Sequence, residues 1–293
     1  MRINTWLKNN TERIENQTIA ITGSTGGIGK EVCFYLAELG ANLIFLNRNE
    51  KKSKILIDEI KKKYPKCKID LIIVDMEDIE SVKKAVCELK NLQFNKLIIN
   101  AGAYNIDRKI TSCGVDNIFQ INFLSPYYMI RELKECLNKQ DNAGVVVVGS
   151  IAHNFSKLDT TDIDFSNNKK CSKVYGNAKR FLMFSLYELF KKEKNITLSV
   201  CHPGITYTNI TSHYPRIINA IIKYPMKIIF ISPKKAGLNI IKGVYTKTDY
   251  HNWIGPRIFN IWGLPDIKVL SKVTSNESYK IGQIANELYL KLK

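Results

Sequence analysis

Short apolar runs alternate with longer amphipathic stretches along most of this chain, and that alternation limits the folds open to it. TIAIT (18–22), NLIFL (42–46), IDLIIVD (69–75), KLIIN (96–100), GVVVVG (144–149) and ITLSVCHPG (196–204) have strand length, are rich in β-branched residues and are largely apolar on both faces. Strands of that kind belong to a parallel sheet covered by helices on each side. The stretches between them, 28–39, 50–63, 79–90, 113–138 and 173–193, carry helical periodicity. Repeated strand–helix alternation predicts an α/β protein with a Rossmann-type, doubly wound parallel sheet.

The chain has 293 residues, and at roughly 150 per domain that allows one large domain or two modest ones. No low-complexity linker or change of composition divides it. The expectation is a single domain over 17–293 behind an N-terminal extension, 1–16. Beyond Gly204 the order becomes less regular. An apolar helical stretch (215–231) precedes a helix that starts at Ser232-Pro233-Lys234-Lys235 and runs to about Tyr245. A loop holding Trp253, Pro256, Trp262 and Pro265 follows, then a last helix near 275–291. Segments added after the last βα unit often cover the crevice at the carboxyl ends of the strands, so 205–232 is the expected substrate lid of a C-terminal extension. Core packing and a dimer contact are the alternatives for its apolar residues, Ile217, Ile218, Ile221, Ile222, Tyr224, Met226, Ile228, Ile229 and Phe230.

Lys and Arg number 44 against 27 Asp and Glu, a formal charge of +17. A nucleic-acid surface would cluster these cations on one element with aromatics interleaved. Here they spread over nearly every helix, for example Lys51, Lys52, Lys61–Lys63, Lys83, Lys84, Lys191 and Lys192, as solvated faces. Attraction to an anionic membrane surface stays open through Lys223, Lys227, Lys234 and Lys235 beside the apolar lid. The seven cysteines lie at least 20 residues apart and form no C-x-x-C pair, so metal and thiol-redox sites are not expected. Most of them fall in apolar periodic stretches, as small buried hydrophobes would. With no signal-like apolar core at the N-terminus and no ~20-residue apolar run, a cytoplasmic location is expected.

The first strand ends in Thr22-Gly23-Ser24-Thr25-Gly26-Gly27-Ile28-Gly29 and opens directly into a helix. Glycines there allow a tight turn and a close approach of the backbone to a pyrophosphate, which the helix N-terminus attracts. The second strand ends in Leu46-Asn47-Arg48-Asn49, with no carboxylate to hold a ribose 2′-hydroxyl and a guanidinium suited to a 2′-phosphate. NADP(H) is therefore expected in preference to NAD(H); the alternative is that Arg48 merely faces solvent. Tyr175 and Lys179 are one helical turn apart. A free phenol titrates near ~10. An adjacent ammonium would draw that value toward neutrality.

The T-G-x-x-x-G-x-G pattern at 22–29, Asn100-Ala101-Gly102, Ser150, Tyr175-x-x-x-Lys179, Asp75 and Pro203-Gly204 stand in an order and spacing that resembles the short-chain dehydrogenase/reductase family over roughly 17–245. Leu46-Asn47-Arg48-Asn49, Ser150-Ile151-Ala152-His153, Asp162-Ile163-Asp164-Phe165 and Ser232-Pro233 resemble its retinol-dehydrogenase-like branch, which includes WW-domain oxidoreductases. Departures are Cys113-Gly114 in place of an acidic-Gly pair, Gly149 before Ser150, and Ile99 before Asn100.

The resemblance implies roles for these residues. Tyr175 would exchange the proton with the substrate oxygen, and Lys179 would lower its pKa and bind the nicotinamide ribose. Ser150 would bond the substrate oxygen, and Asn122 would position water in a proton relay. Gly23, Ser24, Thr25, Gly27, Ile28 and Gly29 would line the phosphates and nicotinamide. Arg48 would take the 2′-phosphate, Asp75 and Met76 the adenine, and Asn100, Ala101 and Gly102 the adenine ribose. Pro203 and Gly204 would close the far side, with Thr208, or its neighbour Thr206, toward the carboxamide. His153 and His202 are expected to be structural, and Ser150/His153 is no hydrolase dyad because no G-x-S-x-G elbow surrounds the serine. No metal is required.

The implied activity is an NADP(H)-dependent alcohol/carbonyl oxidoreductase on an apolar substrate, with a homo-oligomer as a possible assembly. An epimerase or dehydratase of the extended branch, permitted by the spacing of Gly23, Gly26 and Gly29, and a non-catalytic NADP-binding sensor or scaffold are the competing readings.

Overall fold

The computed structural model describes residues 3–168, 170–206, 230–270 and 273–293. Strands β1 (Thr18–Thr22), β2 (Asn42–Asn47), β3 (Ile69–Ile73), β4 (Lys96–Ile99), β5 (Gly144–Val148), β6 (Thr197–Cys201), β7 (Asn252–Ile258) and β8 (Trp262–Val269) form one sheet. Its order is β3-β2-β1-β4-β5-β6-β7-β8, parallel throughout except for the β7–β8 pair. The chain builds outward from β1 to β3 and then returns to start β4 on the other side of β1. That reversal places a crevice above the carboxyl ends of β1 and β4.

Both faces of the sheet are covered, as the apolar strands require. Ile19 and Ile21 of β1 and Val146 and Val148 of β5 enter one core with Val32 and Leu36 of helix α2 (Gly27–Glu38) and with Leu56 and Ile60 of α3 (Glu50–Lys63). Ala20, Val145 and Val147 enter the other, with Val82 and Val86 of α4 (Ile79–Lys90). The split follows the two-residue alternation of strand side chains. The second core also takes Leu133 of α6 (Ser125–Asn138), Phe181 of α7 (Cys171–Leu189), and Ile281 and Ala285 of the last helix (Ser275–Leu290). α6 continues α5 (Asn117–Phe119) through a π-turn at Gln120–Leu124. The helix before the last, Pro233–Tyr245, adds Leu238 and Ile241 to the first core and takes its N-cap from the Ser232 side chain, as the Ser-Pro start predicts.

Two segments differ from the expectation. The stretch holding Trp253, Pro256, Trp262 and Pro265 is not a loop but the antiparallel β7–β8 pair, with Pro256 opposite Pro265. Proline has no N–H for a ladder and so reads as a strand breaker, yet it is tolerated beside an edge such as β8. The N-terminal extension contains a helix, α1 (Ile3–Asn10), whose Trp6 and Leu7 are buried in the first core. Eight residues are too few to show helical periodicity.

Of the cysteines, all free, Cys33, Cys67 and Cys201 are buried while Cys87 is exposed. Residues 207–229, with most of the anticipated lid and Thr208, lie outside the described residues. No helix among the described residues is long and apolar enough to cross a membrane.

Candidate active site

The crevice is a cleft of about 470 Å³. Gly23, Thr25, Gly26, Gly27, Ile28 and Gly29 form one wall. Asn47, Arg48, Asn49 and Lys52 line it with Asp75 and Met76 beyond β2 and β3, and Asn100, Ala101, Gly102 and Ala103 line it beyond β4, with Ile121. The helix entering it starts at Gly26 with no side-chain cap, whereas α3 and α4 are capped by Asn49 and Asp78. The first N–H groups of α2 are thus left for a ligand at the positive end of the helix dipole.

Close backbone packing explains the glycines. Gly23 has φ +67°, and a Cβ there would stand 2.9 Å from the Ala101 Cα. A Cβ on Gly29 would be 2.3 Å from the Gly23 carbonyl oxygen. The Asn100 amide donates to the Thr22 and Gly23 carbonyls at 3.2 and 3.0 Å. Thr22 Oγ1 accepts from the Asn100 and Ala101 N–H groups at 3.0 and 2.9 Å. The exits of β1 and β4 are therefore laced together.

Asn47 explains the missing carboxylate at the end of β2. Its side chain is buried, accepting from Ser24 N–H at 2.9 Å and donating to Ser24 Oγ at 2.6 Å and Ser53 Oγ at 3.0 Å. Ser24 is fully buried in this staple and does not line the cleft. Arg48, 71% exposed, stands at the lip with its guanidinium 3.5 Å from Asp75. An exposed pair of that kind holds the arginine weakly, so its charge remains available to an anion. Lys52 is a second cation on this side, three residues after the Asn49 cap that places it in the first turn of α3. Sequence reasoning passed over it as one more surface lysine.

Behind Gly102 the four anticipated catalytic side chains come together, none of them in the cleft lining itself. Asn122 sits in the π-turn, fully buried, donating to the carbonyls of Ala103 and Ile118 at 2.8 Å each. A π-turn breaks the regular ladder, and the carboxamide supplies a partner there. A Cβ on Gly102 would be 2.8 Å from Asn122 Oδ1 and 3.6 Å from Lys179 Nζ, so the cleft floor touches both groups. Lys179 is buried, its ammonium donating to the Val148 carbonyl at 2.9 Å and lying 5.7 Å from the Tyr175 ring centre. The Ser150 side chain hydrogen-bonds the Tyr175 phenol, and Tyr104 meets that ring edge-on at 5.3 Å.

The titration of this pair departs from the expectation. Desolvation pushes Tyr175 up to about 12, against a lowering by the Ser150 bond. Desolvation likewise draws Lys179 down to about 8. The ammonium lies 5.7 Å from the ring centre and donates to the Val148 carbonyl, so burial sets the direction of both shifts.

Gly176 sets the distance between Tyr175 and Ser150: a Cβ there would stand 2.3 Å from the Ala152 carbonyl oxygen. Ser150 caps the short 3₁₀ turn Ile151–Phe155, accepting from Ala152 N–H at 3.2 Å. Arg180 adds a brace, pairing with Glu277 of the last helix at 2.7 Å and donating to the His153 carbonyl at 3.0 Å. Nothing local in the sequence marks Gly176 or this brace, because both depend on packing partners far along the chain.

The remaining anticipated residues fall elsewhere. Pro203, Gly204 and Thr206 do not line the cleft; Gly204 packs on Ile231 and Ile261, and Thr206 bridges to Ile231. The two histidines are structural. The His153 ring meets Trp253 edge-on at 5.5 Å, and Nδ1 lies 2.7 Å from the Ser150 carbonyl oxygen. His202 stacks on Trp253 at 5.0 Å and is drawn down to about 3 by burial.

Comparison with known proteins agrees with this geometry. The family model for short chain dehydrogenase matches residues 17–216. The human polyprenol dehydrogenase is 26% identical over 203 residues, 66% of this chain and 62% of that protein. The human WW domain-containing oxidoreductase is 26% identical over 207 residues, 66% of this chain and 50% of that protein. The chain thus spans between half and two thirds of the length of these relatives. A solved structure of an uncharacterized protein from Mycobacterium Paratuberculosis superposes with a TM-score of 0.72 over 97% of this chain and 96% of that one, at 19% identity. With the family match covering the cleft and all four side chains, the chain belongs to the short-chain dehydrogenase/reductase family of oxidoreductases, in the branch of these relatives.

Proposed function

We propose that this protein is an NADP(H)-dependent oxidoreductase that interconverts an apolar alcohol and its carbonyl compound, with Tyr175 as the general acid and base. The observation that carries the reading is a cleft lined by the cations Arg48 and Lys52 whose Gly102 lining lies directly over Asn122 and Lys179, with Tyr175 and Ser150 beside that ammonium.

The residues present fit a dinucleotide. Gly23 and Gly29 let the turn pack tightly on Ala101 and on itself, which leaves the uncapped start of α2 at Gly26, Gly27 and Ile28 lining the cleft for a pyrophosphate. Its pyrophosphate would lie on Thr25, Gly27 and Ile28, its adenine between Asp75 and Met76, and its 2′-phosphate on Arg48 and Lys52. Asn100, Ala101 and Gly102 would border the adenine ribose. Pro203, Gly204 and Thr206, with Thr208, would close the nicotinamide side. When bound, the cofactor supplies or accepts the hydride.

The protein's own work is on the proton and the oxygen. Ser150 bonds the substrate oxygen, and Tyr175 gives it the proton in reduction or removes it in oxidation. Lys179 holds a positive charge beside the ring, which the phenolate form requires. Asn122, tied to two carbonyls, is the group next to that ammonium, suited to pass protons through an ordered water. The substrate class is supported by the name of one relative, polyprenol dehydrogenase, and by the apolar residues of 215–231. A cytoplasmic enzyme fits the free cysteines.

The reading is tested by following NADPH and NADH oxidation with a panel of apolar ketones and aldehydes, with Tyr175→Phe protein as the blank. Turnover of at least one apolar carbonyl with a clear NADPH preference is expected. Preference for NADH, or turnover confined to polar substrates, would refute the corresponding part.

A further inference from the structure

The β7–β8 connection is the three residues Phe259, Asn260 and Ile261 between the paired Ile258 and Trp262; the Ile261 N–H bonds the Ile258 carbonyl at 3.0 Å, and both central residues of that turn, Phe259 and Asn260, have positive φ, +51° and +57°. Such turns favour Asn-Gly or Asp-Gly because bulky side chains resist positive φ. This one instead carries a phenylalanine that is 82% exposed. Ile258 and Trp262 beside it are 50% and 37% exposed. Neither turn chemistry nor core packing accounts for a large apolar side chain held out at a sterically costly position.

The turn sits at a telling place. β7 runs parallel to β6, so its far end lies with the carboxyl ends of the strands, where the cleft opens. There the turn packs on the segment after β6, since a Cβ on Gly204 would be 2.9 Å from the Ile261 carbonyl oxygen. Its surroundings are basic. Arg257 is exposed beside the tip, Lys268 donates to the Arg257 carbonyl at 3.0 Å, and Lys234 and Lys235 are exposed where the Pro233–Tyr245 helix begins, next to Ile231, which also touches Gly204.

We propose that this hairpin tip docks the protein on an anionic lipid surface, with Ile258, Phe259 and Trp262 entering the boundary between headgroups and acyl chains while Arg257, Lys234 and Lys235 meet the headgroups. Apolar anchors flanked by cations are the pattern of peripheral membrane binding, and a tip of this size inserts without spanning. Docking in this way turns the catalytic end of the sheet toward the lipid, from which an apolar substrate enters without crossing water. The docking stands independently of the catalytic reading; only the delivery of substrate rests on it.

The test is co-sedimentation of the full chain with phosphatidylcholine vesicles, with and without phosphatidylserine. Trp6 and Trp253 are buried, so quenching of tryptophan fluorescence by brominated lipid reports Trp262. The proposal expects binding to the phosphatidylserine vesicles at low salt, release at high salt and quenching of Trp262. Phe259→Gly relieves the positive φ and should keep or raise Tm while weakening vesicle binding roughly tenfold or more. Phe259→Asp should do the same to binding. Absence of sedimentation at low salt, or binding unchanged in both variants, overturns it. So does a concentration-dependent dimer that Phe259→Asp abolishes in protein that ignores vesicles, which would make the tip a protein contact. Turnover of a short, water-soluble carbonyl by the same variants is a separate readout, so failure of the docking and failure of the catalytic reading give different results.

Discussion

The alpha carbon of Gly176 lies so close beneath the Ala152 carbonyl that an added Cβ would stand 2.3 Å from that oxygen. This contact holds the turn that carries Ser150 against the helix that carries Tyr175. Neither side can yield cheaply, because both atoms are bound to backbone. Gly176→Ala should therefore part the two hydroxyls by a few tenths of an ångström or more and lower kcat/KM by roughly tenfold or more, since small misplacements of reacting groups are costly. Overpacking should also cost about 1–3 kcal/mol in denaturant unfolding. Wild-type kinetics in the variant would show that the spacing does not matter.

Cofactor preference should follow Arg48 and Lys52 and not Asn47. Arg48→Ala and Lys52→Ala would each remove a charge proposed to meet the 2′-phosphate and should raise KM for NADPH by roughly tenfold, with KM for NADH little changed. Asn47→Asp, which would put a carboxylate at the end of β2, should not produce an NAD enzyme. An aspartate cannot donate to Ser24 and Ser53, so the change should cost about 2 kcal/mol or more of stability and loosen the glycine turn. Parallel KM measurements with both cofactors and a urea titration check this.

Lys179 makes a pH-dependent contribution of calculable sign. The unfolded chain keeps this proton until about pH 10.5, whereas the buried ammonium loses it near 8. Between those values the unfolded state binds more protons, so this group's contribution to stability rises with pH and is least favourable below 8. Lys179→Met removes the dependence. The wild type minus Lys179→Met difference in unfolding free energy should move by about 2 kcal/mol in favour of wild type from pH 8 to pH 10, while the variant loses turnover. A flat difference would contradict the burial argument.

His202 governs the acid side. Its folded value near 3 lies below the ordinary 6.5, so stability that is present above pH 6.5 is lost as pH falls toward 3, where the unfolded chain takes up the proton first. His202→Phe, which can keep the stack on Trp253, should flatten that acid limb while leaving turnover at neutral pH intact. Thermal denaturation of both proteins from pH 7 to pH 4 tests this.

The parts of the molecule legible in the sequence are those whose chemistry is local. The run from β1 through the glycine turn into α2, the Tyr175/Lys179 spacing and the Ser232-Pro233 helix start each appear within a few neighbouring residues. Asn47, Gly176 and the Arg180–Glu277 pair escaped notice because their meaning lies in partners brought together only by folding. Pro256 and Pro265 disguised β7 and β8: β8 is the sheet edge, and β7 pairs with β6 at Ile254, short of Pro256, so neither proline breaks a ladder that a central strand would need. The opposite direction of the Tyr175 shift has the same origin: adjacency along a helix was legible, whereas the degree of desolvation was not.

The central claim is that Tyr175 moves the proton, and the most direct measurement is the rate of NADPH oxidation by Tyr175→Phe in the presence of an apolar carbonyl that wild type reduces, alongside NADPH binding followed by its fluorescence. The expected result is NADPH affinity within about twofold of wild type and a kcat lower by roughly a hundredfold or more, the share a positioned general acid supplies. Full turnover by the Tyr175→Phe protein would contradict the account.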